Sequence, residues 1–323
     1  MTGAPEVTVV IATRDRWRLL ERTLACVFAQ EGVTLEVIVV DDGSVDETPA
    51  RLAEVGDERL RTIRHPESRG VAEARNAAIA AARGEWLAFL DDDDLWSPAK
   101  LATQLAAARA RGATWAYSTA VAVDEGLTLL DTIEAPEPDR LIEALIQYNP
   151  IPAGASNVLA RTDVVRGLGG YDESLSQLAD WDMWIRLGAA GGAAACPEPL
   201  LAYVQHGGGM LMADRRGAAD EFERLARKHA ALAAEHGIEF DRAGLVAWIA
   251  WADNRAGRRL RAAAGYLRAS LMYARRRVGW ATRQHLSHAT DALRGRALTD
   301  TGRRPAHERH AEPPDWLASI ARG

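Results

Sequence analysis

The fold class predicted for this chain is a mainly parallel α/β sandwich followed by a helical region, and three observations predict it. Strand-like and helix-like stretches alternate four times over the first 111 residues with short links, the pattern of a doubly wound sheet. Two of those strands end abruptly in carboxylates, at Asp41 and Asp42 and again at residues 91–94. Open α/β sheets bind their ligands at that carboxyl edge. From Ala218 to about residue 296 the periodicity is helical throughout.

Taken in order, residues 7–12 form a first strand and residues 13–16 a polar turn. Residues 17–30 form a helix with Leu20, Leu24, Val27 and Phe28 on one face. Residues 35–40 are a second buried strand, and Ser44 or Asp46 caps the helix after it. Residues 60–64 are a weaker third strand, 65–70 a loop, and 71–83 an Ala-rich helix that Gly84 ends. Residues 86–90, Trp-Leu-Ala-Phe-Leu, read as a strand buried on both faces. Ser97 and Pro98 then read as N-cap and first residue of a helix reaching residue 111. Residues 114–123 alternate as a further strand, while 124–155 are loop-rich with one helix near 140–148. A strand over 155–160, a short helix over 162–168, a helix over 178–187 and a last strand over 200–205 follow.

Four adjacent carboxylates repel one another unless a cation or water relieves them. A solvated acidic turn is the plain reading, but this run directly follows a buried strand. Hard oxygen ligands without Cys or His suit Mg2+ or Mn2+. A dinucleotide site would need Gly-x-Gly-x-x-Gly after the first strand, where this chain has Thr-Arg-Asp-Arg, and a phosphate-cradling P-loop is absent too. No apolar run approaches the roughly 18 residues of a spanning helix. The N-terminus has neither the basic nor the apolar region of a signal peptide. Cys26 and Cys196 lack metal-ligand spacing and read as buried thiols of a reducing compartment. A cytoplasmic location is therefore expected, with a peripheral position at the inner face of a membrane as its variant.

Charge is unevenly distributed. Residues 218–323 hold 19 Lys and Arg against 12 Asp and Glu, a net of +7, inside a chain of net −6. Between Asn254 and Thr290 there are nine arginines and no acid. Leu260, Ala264, Leu267, Leu271, Ala274 and Val278 make an apolar stripe at helical spacing there, beside Arg261, Arg268 and Arg275. The plain reading turns that stripe toward a core. The other reading lays it on anionic headgroups. Nucleic acid is not an expected partner, because aromatics are not interleaved with the arginines.

At this point the motifs match a family. Residues 7–16, Val-Thr-Val-Val-Ile-Ala-Thr-Arg-Asp-Arg, resemble the opening of family 2 glycosyltransferases. Residues 39–44, Val-Val-Asp-Asp-Gly-Ser, are similar to the family's second-strand motif, and 69–76 to its third-loop motif. Residues 89–94, Phe-Leu-Asp-Asp-Asp-Asp, look like its Asp-x-Asp metal motif. Residues 169–173 with 179–184 resemble its acceptor-side segment. The resemblance covers residues 7 to about 210. It implies a GT-A fold, an αβα sandwich, and an inverting, metal-assisted transfer from a nucleotide-sugar donor. By position it implies that Ala12, Arg14 and Asp42 line the nucleobase pocket. It places Arg75 near the base or diphosphate, Asp91 and Asp92 by ribose and metal, Asp93 on Mn2+ or Mg2+, and Asp180 as general base. The family's usual Pro and aromatic in the opening motif are here Ala12 and Arg14, and its usual Glu before the base is Ala179.

Asp180 opens a helix, whose N–H groups would keep it ionised. An N-cap is its plain reading, and Asp182 is its rival, though an i,i+4 pair with Arg186 suits a structural role. His206 precedes three glycines and is a candidate to close over the diphosphate or complete a metal shell. The chain thus divides into a donor half over 1–123, an acceptor half over 124–217, a helical domain over 218–300 and a mobile tail over 301–323. The expected function is an inverting glycosyltransferase using a UDP-sugar, its acceptor a saccharide, lipid-linked intermediate, natural product or peptide. The alternatives are a non-catalytic nucleotide-sugar-binding protein and a sugar-phosphate nucleotidyltransferase. The latter wants a Gly-rich loop with a following Lys or Arg, which this sequence lacks.

Overall fold

The computed structural model describes residues 3–205, 215–295 and 313–320. These group into two compact units, one of residues 3–145, 149–204 and 313–320, the other of 146–148, 205 and 215–295.

The first unit is built on one mixed sheet. Its strands β1 (Val7–Thr13), β2 (Leu35–Asp42), β3 (Leu60–His65) and β4 (Trp86–Asp91) alternate with helices α1 (Trp17–Phe28), α2 (Thr48–Glu54) and α3 (Val71–Ala81). The four strands are parallel in the order β3-β2-β1-β4. β2 is buried along its whole length and β1 all but so, which is why they read as continuous Val/Ile runs rather than alternating ones. The chain continues through β5 (Leu95–Trp96), α4 (Lys100–Arg111), β6 (Trp115–Asp124), β7 (Leu129–Ile133), α5 (Leu141–Gln147), β8 (Leu159–Arg161), α6 (Thr162–Gly167), α7 (Ala179–Ala190) and β9 (Ala193–Gln205). These strands extend the sheet past β4 as β8-β6-β9-β5, with β7 beside β6. The β4/β8, β6/β8, β6/β7 and β5/β9 pairings are antiparallel, so the parallel half carries an antiparallel extension.

Several boundaries differ from the sequence reading. Ser97 and Pro98 do not start a helix, because Leu95 and Trp96 first pair with Ala202 and Leu201 of β9, and α4 begins only at Lys100. α3 stops at Ala81, before Gly84. Neither Ser44 nor Asp46 is the N-cap of α2; Glu47 is, and Asp46 Oδ1 accepts from the Thr48 amide at 2.9 Å just ahead of it. The stretch 155–160 opens as a 3-10 turn, Gly154–Asn157, because Asn157 turns inward. Its Nδ2 donates to Ser118 O at 2.6 Å, and its Oδ1 accepts from the Ser118 amide at 2.9 Å. β7 was not anticipated; it is a half-buried hairpin partner of β6, paired through a bulge at Ala122 and Val123. Cys26 and Cys196 are free and buried, as expected.

The second unit is helical: α8 (Arg215–Lys228), α9 (Ala230–Glu235), α10 (Arg242–Arg255), α11 (Arg259–Arg275) and α12 (Gly279–Leu293). α10, α11 and α12 meet through Ala247, Ala250, Ala262, Tyr266, Ala269, Ala289 and Ala292. Small residues let the helices approach closely, so the core lies on the alanine face. The leucine stripe therefore does not face that core: Leu260, Leu267 and Leu271 are exposed. Within the stretch read as a mobile tail, α13 (Asp315–Ile320) is a helix of the first unit. Leu317 is buried in that unit's core, and Trp316 Nε1 donates to Pro199 O at 2.8 Å. Among the described residues no helix is long and apolar enough to cross a membrane.

Candidate active site

Strand register assembles the site. Ala12 of β1 lies between Val40 of β2 and Asp91 of β4, and Thr13 lies opposite Asp41. Both acidic strand ends thus flank the end of β1 on one carboxyl edge, where such sheets take ligands.

Asp42 is turned into the protein. Its Oδ1 lies 2.7 Å from His65 Nδ1 and accepts from the Arg69 amide at 2.9 Å. Its Oδ2 accepts from Ser68 Oγ at 2.7 Å and the Gly70 amide at 2.9 Å. Burial alone would raise its pKa, but these donors outweigh it and hold the carboxyl below the usual range. The loop can approach because Gly43 has φ +78°; a Cβ there would meet the Ser68 amide nitrogen at 2.6 Å. Asp42 therefore clamps the 65–70 loop, and its oxygens are engaged by the protein itself. Arg14 stays at the surface beside Asp15, at 3.5 Å.

The four carboxylates of residues 91–94 take separate directions. Asp94 is fully buried: its Oδ2 accepts from Ser156 Oγ at 2.5 Å and its Oδ1 from the Val204 amide at 3.0 Å. Burial pushes its pKa well up. It ties the 154–157 turn and β9 to the end of β4. Asp92 is buried too, with Oδ2 accepting from Thr13 Oγ1 at 2.6 Å and Oδ1 from Arg16 Nη1 at 2.7 Å. Burial raises it to about 7 against the opposing Arg16 charge. Arg16 Nη2 also reaches Asp93 Oδ2 at 2.7 Å, so one guanidinium relieves two carboxylates. The side chains of Asp93 and Asp91 remain 16% and 41% exposed, against 4% for Asp92.

Asp91 leads to the opposite wall. Its Oδ1 accepts from Arg75 Nη2 at 2.5 Å. The Arg75 guanidinium is buried over the Tyr171 ring, 5.1 Å from its centroid, and its charge also acts on Asp180. Asp180 lies in the first turn of α7, where its Oδ1 accepts from the Trp181 amide at 2.7 Å. It is not the N-cap, a place Leu178 takes. Nor does the helix end alone set its ionisation, as the sequence reading had it. Burial raises its pKa to about 6, with Arg75 and then the Trp181 amide opposing. Asp182 forms the structural pair expected of it, fully buried, with Arg186 Nη2 at 2.7 Å. Trp184 is core and stacks on Trp115, while Trp181 Nε1 donates to Leu145 O at 2.6 Å.

The structure thus brings together Ala12, Asp91, Asp92, Asp93, Arg75 and Asp180. It leaves Arg14 at the rim and Asp42 in a clamp, and His206 lies outside the described residues. Reading the sequence missed Arg16, Asn76 and Ser156. Arg16 had a signal, a cation in the turn behind β1 at an acidic edge. Asn76 had only its place in a motif: its Nδ2 donates to Tyr171 O at 2.9 Å and its Oδ1 accepts from the Tyr171 amide at 2.7 Å, fixing the loop before α7. Among the described residues no three Asp, Glu, His or Cys side chains form a closed metal site. The donor set fits an open one: Asp93 and Asp91 offer hard oxygens at one edge, and Mg2+-like ions are held by one or two carboxylates with substrate phosphates and water.

Comparison with known proteins places the chain among relatives. The model of the family described as Glycosyl transferase family 2 matches residues 8–163. The succinoglycan biosynthesis protein ExoO of Rhizobium meliloti (strain 1021) is 34% identical over 241 residues, 72% of this chain and 67% of ExoO. The Escherichia coli enzyme WfaP, a UDP-Glc:alpha-D-GlcNAc-diphosphoundecaprenol beta-1,3-glucosyltransferase, is 25% identical over 222 residues, 69% of this chain and 83% of WfaP. In fold, the chain is similar to S. aureus TarS 1-349 in complex with UDP-GlcNAc, with TM-score 0.55 at 16% identity, covering 90% of this chain and 92% of that one. It is likewise similar to the mannosyltransferase PcManGT from Pyrobaculum calidifontis in complex with GDP-Man and Mn2+, with TM-score 0.55 at 21% identity, covering 91% and 86%.

Proposed function

The chain belongs to glycosyl transferase family 2 and is a glycosyltransferase, and from that premise we propose how it works: it moves a sugar from a UDP-sugar to an acceptor hydroxyl with inversion, Asp180 taking the acceptor's proton. The observation that carries this reading is the chain Asp91–Arg75–Asp180. One buried guanidinium is bonded to a carboxylate of the donor edge, and its charge also acts on the carboxylate at the head of α7. In-line displacement at the anomeric carbon needs a base on one face and a leaving diphosphate on the other. A carboxylate with a pKa of about 6 is ionised at neutral pH and still basic enough to accept a proton as the bond forms.

Residues 1–123 serve as the donor half and 124–217 as the acceptor half, with the helical domain from 218 beyond them. Ala12 and Arg14 border the base, and Asp42 contributes by holding the 65–70 loop as a wall of that pocket. Arg75 and Asp91 stand at the ribose and diphosphate, with Asp92 behind them. Asp93, with Asp91, would hold a divalent cation, and His206 is its further candidate ligand. Such a cation supplies charge neutralisation on the departing diphosphate. Mn2+ accompanies GDP-Man in the PcManGT complex and is the first ion to test, Mg2+ the second. The UDP-glucose in WfaP's name favours a UDP-sugar, and its diphosphoundecaprenol-linked acceptor makes lipid-linked saccharides the first acceptors to try.

The test is a panel of nucleotide-sugars scored for thermal stabilisation in Mn2+, followed by transfer to candidate acceptors. NMR then assigns the product's anomeric configuration. Stabilisation by one UDP-sugar and an inverted product support the reading. A retained configuration would remove the single-displacement mechanism, and binding without transfer or slow donor hydrolysis would favour a non-catalytic binding protein.

A further inference from the structure

The helical unit turns its apolar residues outward. Among the described residues seven large hydrophobic side chains are exposed, and six of them sit on α11 and α12: Leu260, Leu267, Leu271, Trp280, Leu286 and Leu293. On α11, Leu260, Leu267 and Leu271 stand 78%, 46% and 57% exposed, in one row with Ala264 and Ala274 at i, i+3/i+4 spacing. The opposite face is the alanine-rich one that packs in the unit. Monomeric proteins rarely display contiguous apolar surface of this kind without a use for it.

The charge beside this row decides what covers it. Arg261, Arg268 and Arg275 recur every seven residues, which on a helix places them along one flank of the leucines. All three are exposed, and among the described residues none is paired with a carboxylate. The arginines that are paired lie just beyond the ends of α11, Arg258 with Asp253 and Arg276 with Glu239. On α12, exposed Arg283 accompanies Trp280 and Leu286, while Leu293 and the C-cap Arg294 follow Asp291. A row of leucines on α11 edged by unpaired arginines, with exposed Trp280 following on the same acid-free stretch of 254–290, matches an anionic headgroup layer over apolar chains. A groove on a protein would supply neither so broad an apolar phase nor so uniform a negative charge. At 17 residues, α11 suits lying along a membrane rather than crossing it.

We propose that the exposed face of α11 and α12 docks this enzyme on anionic bilayers, its leucines and Trp280 entering the headgroup region and its arginines meeting lipid phosphates. This holds whichever acceptor the enzyme uses. The full chain is co-sedimented with vesicles of phosphatidylcholine alone and of phosphatidylcholine with phosphatidylglycerol, at low and high salt. Pelleting with the anionic vesicles only, reversed by high salt, is expected. Arg261→Glu with Arg268→Glu and Arg275→Glu should lower partitioning by about 100-fold or more. Leu267→Ser with Leu271→Ser should weaken it while leaving the Arg row and the salt dependence in place. Unchanged thermal melting shows that both sets of variants fold. Protein left in the supernatant with both compositions at low salt overturns the proposal, as does pelleting that neither set of substitutions weakens. Sedimentation velocity covers the rival occupant: a dimer abolished by the Leu substitutions would mean that a second copy covers this face.

Discussion

Asp180 carries opposite consequences for activity and for stability. Burial raises its pKa to about 6, above the roughly 3.9 of an unfolded aspartate. As the proposed base Asp180 works as the carboxylate, so the transfer rate should climb as pH rises through about 6 and level off above it. The folded state binds the proton more tightly than the unfolded chain, so stability from this group is present below about pH 4 and lost as pH rises toward 6. Asp180→Asn should therefore melt slightly higher at neutral pH, bind donor normally and turn over about 10²-fold or more slower. A normal pH–rate profile in that variant would assign the acid limb elsewhere. Asp93→Ala tests the other end of the site. It should abolish metal-dependent donor binding with the fold intact, since the side chain is partly exposed and its partner Arg16 keeps Asp92. Isothermal titration of donor with and without Mn2+ reads it directly. Asp93 stood out in the sequence because carboxylates behind a buried strand advertise themselves, whereas Asp180 was singled out by its place in the motif alone. Arg16 was not assigned, because the direction of a turn side chain is set by what the fold places opposite it.

At the scale of elements, the site depends on three short connections. The 154–157 turn holds Asp94 through Ser156, and its Gly154, at φ +51°, passes so close to α7 that a Cβ would lie 2.5 Å from Asp180 Oδ2. Asn76 holds the loop before α7 from the other side. Gly154→Ala should thus press directly on Asp180, the proposed base, and reach the donor edge only through Ser156, whose Oγ accepts from the Asp91 amide at 3.1 Å. The expected result is a fall in kcat with donor affinity kept, measured by initial rates and donor titration, together with lowered thermal stability from the strained φ. Asn76→Ala should lower both. The alternation of β1 to β4 with helices was readable from local periodicity. β5 was not, because its two residues are a strand only by virtue of Ala202 and Leu201, more than a hundred residues away. The mistaken helix start at Ser97 has the same cause: a local capping signal overruled by distant pairing.

At the scale of the whole chain, the sheet unit is completed by residues from the far end of the sequence. The segment 313–320 joins that unit after the helical stretch of 215–295. Composition suggested mobility there, since prolines and polar clusters dominate the final stretch. The signal that competed was three apolar residues, Trp316, Leu317 and Ile320, at helical spacing. A six-residue helix does not stand alone in water, so α13 owes its order to the core it meets. Leu317 is 1% exposed within that core, and Trp316 and Ile320 pack against it. Leu317→Ala should then cost about 2–5 kcal/mol, the range for a buried leucine. Trp316→Phe, which keeps an aromatic ring but loses the five-membered ring that carries the bond to Pro199 O, should cost at least about 0.5–1.5 kcal/mol. Urea unfolding monitored by glycosyl transfer and by far-ultraviolet circular dichroism separates the alternatives. If the segment belongs to the sheet unit, loss of activity shifts to lower urea while much of the helical signal persists, because most of the described helix beyond β9 lies in the other unit. An activity midpoint unmoved by Leu317→Ala would mean that α13 contributes nothing to the unit that does the chemistry.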